Sequence, residues 1–320
     1  MQLALLAAEV AFVTAPREVL AHRTYLLTRR CTQRQFLLRP DAYVTQAFLY
    51  CLGAAAERYG ISVHGWIAMS NHEHLLVRDN RGNLPEFLAY FHKLIAKTLN
   101  VHWDRAENFW AAEQPSAVYL PTRTTRFEKL IYLLVNPVAD DLVERAVDWP
   151  GASSLAQHLS GRPLKVQRPR GFFRSDGRMP RDVALQVERP EGYEELSDEA
   201  WSNKVFSAVR DAEEKARTRR ALRSQRVLGR KAVLRAAHTD QPGTAAPRGG
   251  LRPLVACDDV DRRARELLAI VQFRRAHRDA RLRWCAGDRG AVFPPGTYLM
   301  RRVGVACAPV LRAGSPTSLS

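Results

Sequence analysis

The run ISVHGWIAMSNHEHLLV, residues 61–77, decides how the chain is read. Residues 61–69 and 72–77 are both rich in strand-forming side chains, and Ser70-Asn71 between them supplies a turn, so the stretch predicts a β-hairpin. Working outward, residues 24–31 (TYLLTRRC) read as an earlier strand. Pro40-Asp41 then opens a helix in which Val44, Phe48, Leu52 and Ala55 keep helical spacing until Gly60 stops it. After the hairpin, Asn83 with Glu86 three residues on resembles a capping box, and Leu84, Phe87, Leu88, Phe91, Leu94 and Ile95 form an amphipathic stripe. Residues 109–120 predict a further strand. A helix from about Thr125 follows, with Phe127, Leu130, Ile131 and Leu134 on one face and Pro137 at its end. The order βαββαβα fits an α+β class: one antiparallel sheet with helices over a face, in the manner of split βαβ folds.

The chemistry-bearing residues fall on this frame. His72 and His74 sit two apart on a strand, where side chains alternate, so both imidazoles leave one face and can converge on a cation, while Glu73 points the other way. His64, His92 and His102 lack such geometry. Tyr132 and Asn136 are four apart on the last helix, close enough to serve one site, and lie roughly opposite its apolar stripe. Asn136 precedes Pro137, where the backbone is expected to begin leaving the helix. On the residues alone, a structural or surface role for the histidines and a surface role for Tyr132 stay open.

Two segments carry a resemblance. WIAMSNHEHLLV (66–77) resembles the histidine-x-histidine strand of the HUH endonucleases, and YLLVNPVADDLV (132–143) resembles the nucleophile helix of REP-associated tyrosine transposases. The similarity runs over residues 24–154. It implies an antiparallel-sheet HUH endonuclease sandwich, ferredoxin-like, with Tyr132 as nucleophile and His72, His74 and Asn136 as metal ligands. It also implies cleavage and joining of single-stranded or hairpin DNA through a 5′-phosphotyrosine. Two imidazoles and an amide oxygen leave open coordination positions and favour Mg²⁺ or Mn²⁺. Zinc hydrolysis is disfavoured, because HEH is not the helical H-E-x-x-H arrangement. Two departures stand out: Glu73 replaces a usually apolar residue, and Asp140-Asp141 put negative charge where relatives tend to have a small residue and glycine.

Charge points to the same partner. The 320 residues carry 49 Lys+Arg against 33 Asp+Glu, a formal +16. Residues 1–160 hold 16 basic and 15 acidic side chains; residues 161–320 hold 33 and 18, a local +15 suited to a polyanion. The expected organisation is an N-terminal extension (1–23), a catalytic domain (24–158), a Pro, Gly and Arg-rich linker with few packed contacts (159–195), and a basic, mainly helical DNA-binding region (196–320). A chain ending near residue 158 is accordingly expected to keep its fold and metal site and to lose most DNA affinity. Within the basic half, residues 215–238 suggest either two short helices around Gly229 in a helix-turn-helix-like reader or a plain basic arm, and GAVFPPGTYLMRRVGV (290–305) suggests a small strand pair.

Other classes are disfavoured. Five scattered cysteines suit neither a disulfide framework nor a zinc site and are expected to be reduced and structural. The apolar opening MQLALLAAEVAFV lacks a basic leader and is too short to span a bilayer, so a cytoplasmic protein without membrane association, monomeric or homodimeric, is expected. A replication-initiator nickase is disfavoured for want of a P-loop. The alternative from another class is a catalytically silent, sequence-specific DNA-binding regulator.

Overall fold

A computed structural model of the chain describes residues 15–244 and 253–310. The apolar opening, most of the loose segment 241–253 and the last ten residues lie outside the described residues. The chain forms two compact units: residues 21–260, and residues 15–20 with 261–310.

The larger unit is built on strands β1 (Arg23–Arg30), β2 (Ile61–Met69), β3 (His72–Asp79) and β4 (Ser116–Tyr119), in the order β2-β3-β1-β4 with every neighbour antiparallel. With helices α1 (Ala42–Tyr59) and α2 (Leu84–His102), this is the split β-α-β-β-α-β arrangement. The hairpin closes tightly: Met69 pairs with His72 across Ser70-Asn71. The expected strand over residues 109–120 is far shorter. Trp110 makes only a single bridge to Cys31, because its buried indole is anchored by a hydrogen bond to the His92 carbonyl (2.9 Å), and Pro115 has no amide hydrogen to give a ladder.

Helices cover both faces of the sheet, not one. Leu27, Leu75, Val77 and Trp66 pack with Phe48, Phe87 and Phe91 of α1 and α2. Their strand neighbours Leu26, Leu76, Ile67 and Met69 pack with Leu130, Leu133 and Leu134 of α3 (Arg123–Ala139). Strands apolar on both sides, such as the wholly buried β2, demand two covers. Gly65 permits the second: a Cβ there would come within 2.8 Å of Leu130 Cδ1.

Asp41 caps α1 by accepting from the Val44 amide (2.8 Å), and Gly60 ends it at φ 63°. The capping box expected at Asn83 does not form. The fully buried Asp79 takes that role: its carboxylate accepts from the amides of Gly82 (2.8 Å), Asn83 (3.0 Å) and Leu84 (2.8 Å), and a full charge outcompetes a neutral amide for those donors. Thr122 caps α3, assisted by Asp258, whose Oδ1 accepts from the Thr125 hydroxyl (2.9 Å).

Residues 159–195 are packed, contrary to the expected loose linker. Strands β5 (Leu164–Gln167) and β6 (Asp182–Leu185) form a hairpin whose Val166, Val183 and Leu185 join the core beneath α1, so close that a Cβ on Gly53 would meet Val183 at 2.7 Å. Further on, helix α4 (Asp198–Leu222) buries Trp201, Val205 and Val209 against α3. Of the cysteines, Cys31 and Cys51 are buried, whereas Cys285 is exposed.

Glu191 ties this segment to the sheet. Its carboxylate accepts from Thr24 Oγ1 (2.8 Å) and lies 3.0 Å from Arg78 Nε, 3.5 Å from His64 Nε2 and 3.7 Å from Arg126 Nε. Burial pushes its pKa up, but hydrogen bonds from His64 and its own backbone, with the charges of His64 and Arg126, bring it down to about 2. A carboxyl lowered on folding stabilises the protein fully above its unfolded value and loses that contribution as pH falls through the lowered one. The advantage of the native chain over Glu191→Gln, at most roughly 3 kcal/mol, is therefore expected to fade from about pH 4.5 towards pH 2. Urea unfolding across that range measures it, and a pH-independent difference contradicts it.

In the smaller unit, Val19 N donates to the Gly296 carbonyl (3.0 Å), and helix α5 (Val260–Cys285), all but its first residue within this unit, is its longest described element. The strand pair expected at residues 290–305 is instead one bridge, Phe293 to Cys307, around a short helix at Tyr298–Arg302. The consecutive Pro294 and Pro295 remove two ladder donors. No helix among the described residues is long and apolar enough to cross a membrane.

Candidate functional site

Strand alternation puts Thr28, His72 and His74 on the sheet face covered by α3, and Thr28 lies directly opposite His74 in the β1–β3 register. Each imidazole is held through Nδ1. His72 Nδ1 lies 2.7 Å from Asn71 Oδ1, and His74 Nδ1 lies 2.8 Å from Thr28 Oγ1. An amide oxygen only accepts, so His72 Nδ1 carries the hydrogen and Nε2 keeps its lone pair. The two rings stand edge to face at 4.9 Å. Burial, then Arg30 and Arg34, lower the His72 pKa to about 4; burial, then His72 and Arg30, lower that of His74 well below its ordinary value. Both are neutral at pH 7, which is the ligand form of imidazole.

α3 presents Tyr132 to the same face. Its ring meets His74 edge to face at 5.6 Å, and its side chain is 48% exposed because it stays off the stripe that packs on the sheet. Burial of the phenol and the charge of Asp140 raise its pKa, while the Asn136 side chain acts in the opposite sense. The helix does not end at Pro137 but runs on to Ala139, so Tyr132 and Asn136 are one true turn apart. Asn136 is nevertheless not on an open face: it is buried, and its Oδ1 has no hydrogen-bond partner among the described residues.

Two oriented imidazoles, with a buried amide oxygen one helical turn from the tyrosine that meets His74, are a donor set whose chemistry suits a divalent cation. Among the described residues no group of three or more His, Cys, Asp and Glu side chains is placed to hold a metal, so the amide would have to complete such a site.

His72, His74 and Tyr132 open onto a cleft of about 850 Å³ whose other walls the sequence did not announce. Arg30 and Arg34 come from the end of β1 and the turn after it, and Arg223 and Arg226 from the basic run after α4. That run is no helix-turn-helix: its second helix, Arg230–Arg235, is six residues long, and residues 223–229 between the helices dock beside α3. Asp141, which seemed to add unfavourable charge, pairs with Arg223 (2.9 Å) and Arg220 (3.7 Å). Glu73 faces the opposite side of the sheet, where His92 Nε2 lies 2.5 Å from its Oε1 and Arg29 Nη1 lies 2.9 Å from His92 Nδ1. The buried Glu73–His92 pair explains how a charged residue replaces an apolar one there.

No family model matches the chain, and no curated protein matches it. Among solved structures, a REP-associated tyrosine transposase bound to a REP hairpin is similar over 58% of this chain and 99% of its own, with a TM-score of 0.38 and 17% identity. A Deinococcus radiodurans protein assigned as a transposase is similar over 37% of this chain and 93% of its own, with a TM-score of 0.28 and 15% identity.

Proposed function

We propose that the chain is a metal-dependent, single-tyrosine DNA endonuclease and strand transferase of the transposase type, acting on single-stranded or hairpin DNA. The observation that carries this is the meeting of Tyr132 with His74 at the mouth of a basic cleft, with the partnerless Asn136 Oδ1 one turn along the same helix. Tyr132 Oη attacks phosphorus and gives up its proton to solvent, the bond from phosphorus to the 3′ oxygen breaks, and that oxygen leaves as a hydroxyl once protonated from solvent. The product is a 5′-phosphotyrosine. A 3′-hydroxyl from a new end then attacks the same phosphorus and expels the phenol, so joining conserves the bond energy and needs no nucleotide cofactor. His72 Nε2, His74 Nε2 and Asn136 Oδ1 would hold Mg²⁺ or Mn²⁺, which supplies polarisation of the phosphoryl oxygens and offsets the charge that builds on them.

The second reading, a silent DNA-binding regulator, draws on the raised pKa of Tyr132, which disfavours the phenolate in the metal-free site. Metal binding and cleavage separate the two. His72→Ala and His74→Ala are each expected to weaken Mn²⁺ binding by at least about tenfold, read by electron paramagnetic resonance, and to stop cleavage of a labelled hairpin at limiting metal. A variant that binds Mn²⁺ and cuts normally means the histidines hold no metal.

A further inference from the structure

The four arginines of the cleft fall into two pairs. Arg34 donates to Thr244 and Arg223 to Asp141, so both are engaged within the fold. Arg30 and Arg226 are exposed, and neither guanidinium has a hydrogen bond or ion pair among the described residues. Arg30 is opposite His72 in the β1–β3 register. Arg226 sits mid-way along an arm anchored at both ends to the residues just past α3. Arg223 Nη2 reaches Asp141 Oδ2 at 2.9 Å, and the amides of Leu228 and Gly229 donate to the carbonyls of Asp141 (2.9 Å) and Leu142 (3.0 Å). Gly229 closes the arm at φ 86°, a conformation side chains resist. The arm is thus built as a fixed mount, and what it mounts towards the cleft is an unpaired planar fork of N–H donors that matches a phosphate.

We propose that Arg30 and Arg226 are phosphate clamps that hold the backbone of a single strand of DNA on either side of the phosphate facing Tyr132. This rests on the cleavage reading above for the identity of the strand. The observation behind it is independent of that chemistry: two cations with no ion pair among the described residues, one from the sheet and one from the arm, line one cleft with the tyrosine and Asp140. Binding and cutting then share a single cleft, and the basic run contributes to affinity as one of its walls.

The test is a salt titration of a fluorescent single-stranded oligonucleotide on the full-length protein carrying Tyr132→Phe, so that nothing is cut. Arg30→Gln and Arg226→Gln are each expected to weaken binding roughly three- to tenfold near physiological salt and to flatten the log–log salt slope by about 0.7; the double variant is expected to flatten it by about 1.4. Arg58→Gln, an exposed arginine on α1 across the sheet, is the control and is expected to change neither. Unchanged slopes in the clamp variants, or an equal loss with Arg58→Gln, overturn the proposal. Adduct formation by the native protein is scored in parallel. If it forms none while the clamp slopes shift, the clamps stand and the chemistry falls; if it forms adduct while the slopes stay put, the clamps fall and the chemistry stands.

Discussion

Tyr132→Phe is expected to abolish the covalent protein–DNA adduct, lowering its rate of formation by at least about a thousandfold, and to leave DNA affinity within a few-fold. Only the attacking oxygen is removed. The ring that meets His74, the partnerless Asn136 Oδ1 and the cleft arginines all remain. Tyr119 is no substitute: it is on β4, its ring packs against Tyr25 at 5.9 Å, and both belong to the face of the sheet away from the two histidines. An adduct that survives the substitution at the native rate removes Tyr132 from the chemistry.

Ending the chain after residue 158 is expected to abolish cooperative folding, the reverse of what charge and composition suggested. The cut would delete Val166, Val183 and Leu185 from beneath α1 and Trp201, Val205 and Val209 from against α3. Each such side chain contributes about 1.5–3 kcal/mol when buried, so the six together contribute roughly 9–18 kcal/mol, as much as the whole stability of a typical domain at about 5–15 kcal/mol. A chain ending after residue 260 is expected to unfold cooperatively, since residues 21–260 form one compact unit. Urea titration followed by circular dichroism compares them, and a cooperative transition in the shorter chain contradicts the packing argument.

What was legible in the sequence was what short-range periodicity encodes. The strand-forming side chains of 61–69 and 72–77 around Ser70-Asn71 announced the hairpin, the two-residue spacing put His72 and His74 on one face, and the helical spacing of Phe127, Leu130, Ile131 and Leu134 set Tyr132 apart from the core. What was hidden depends on residues far apart in the chain. Strands β5 and β6 contribute only three buried side chains, set among arginines and prolines, so the composition reads as a linker. Asp140-Asp141 look like a liability until Arg220 and Arg223, some eighty residues on, are found beside Asp141. Helical spacing sets Asn136 with Tyr132 opposite the apolar stripe, yet the helix continues past Pro137 and the amide is buried. Asp79 caps α2 from five residues before its start, outside the capping-box spacing.

The central claim is that Tyr132 becomes covalently joined to the 5′ phosphate of a cut single strand. The direct measurement is to incubate the full-length protein with a labelled single-stranded hairpin and Mn²⁺, isolate the SDS-resistant species, and map the modified peptide by mass spectrometry. The account predicts one adduct, carried on Tyr132 and not formed when a chelator is present from the start. Cleavage without any adduct, or an adduct on another tyrosine, would contradict it.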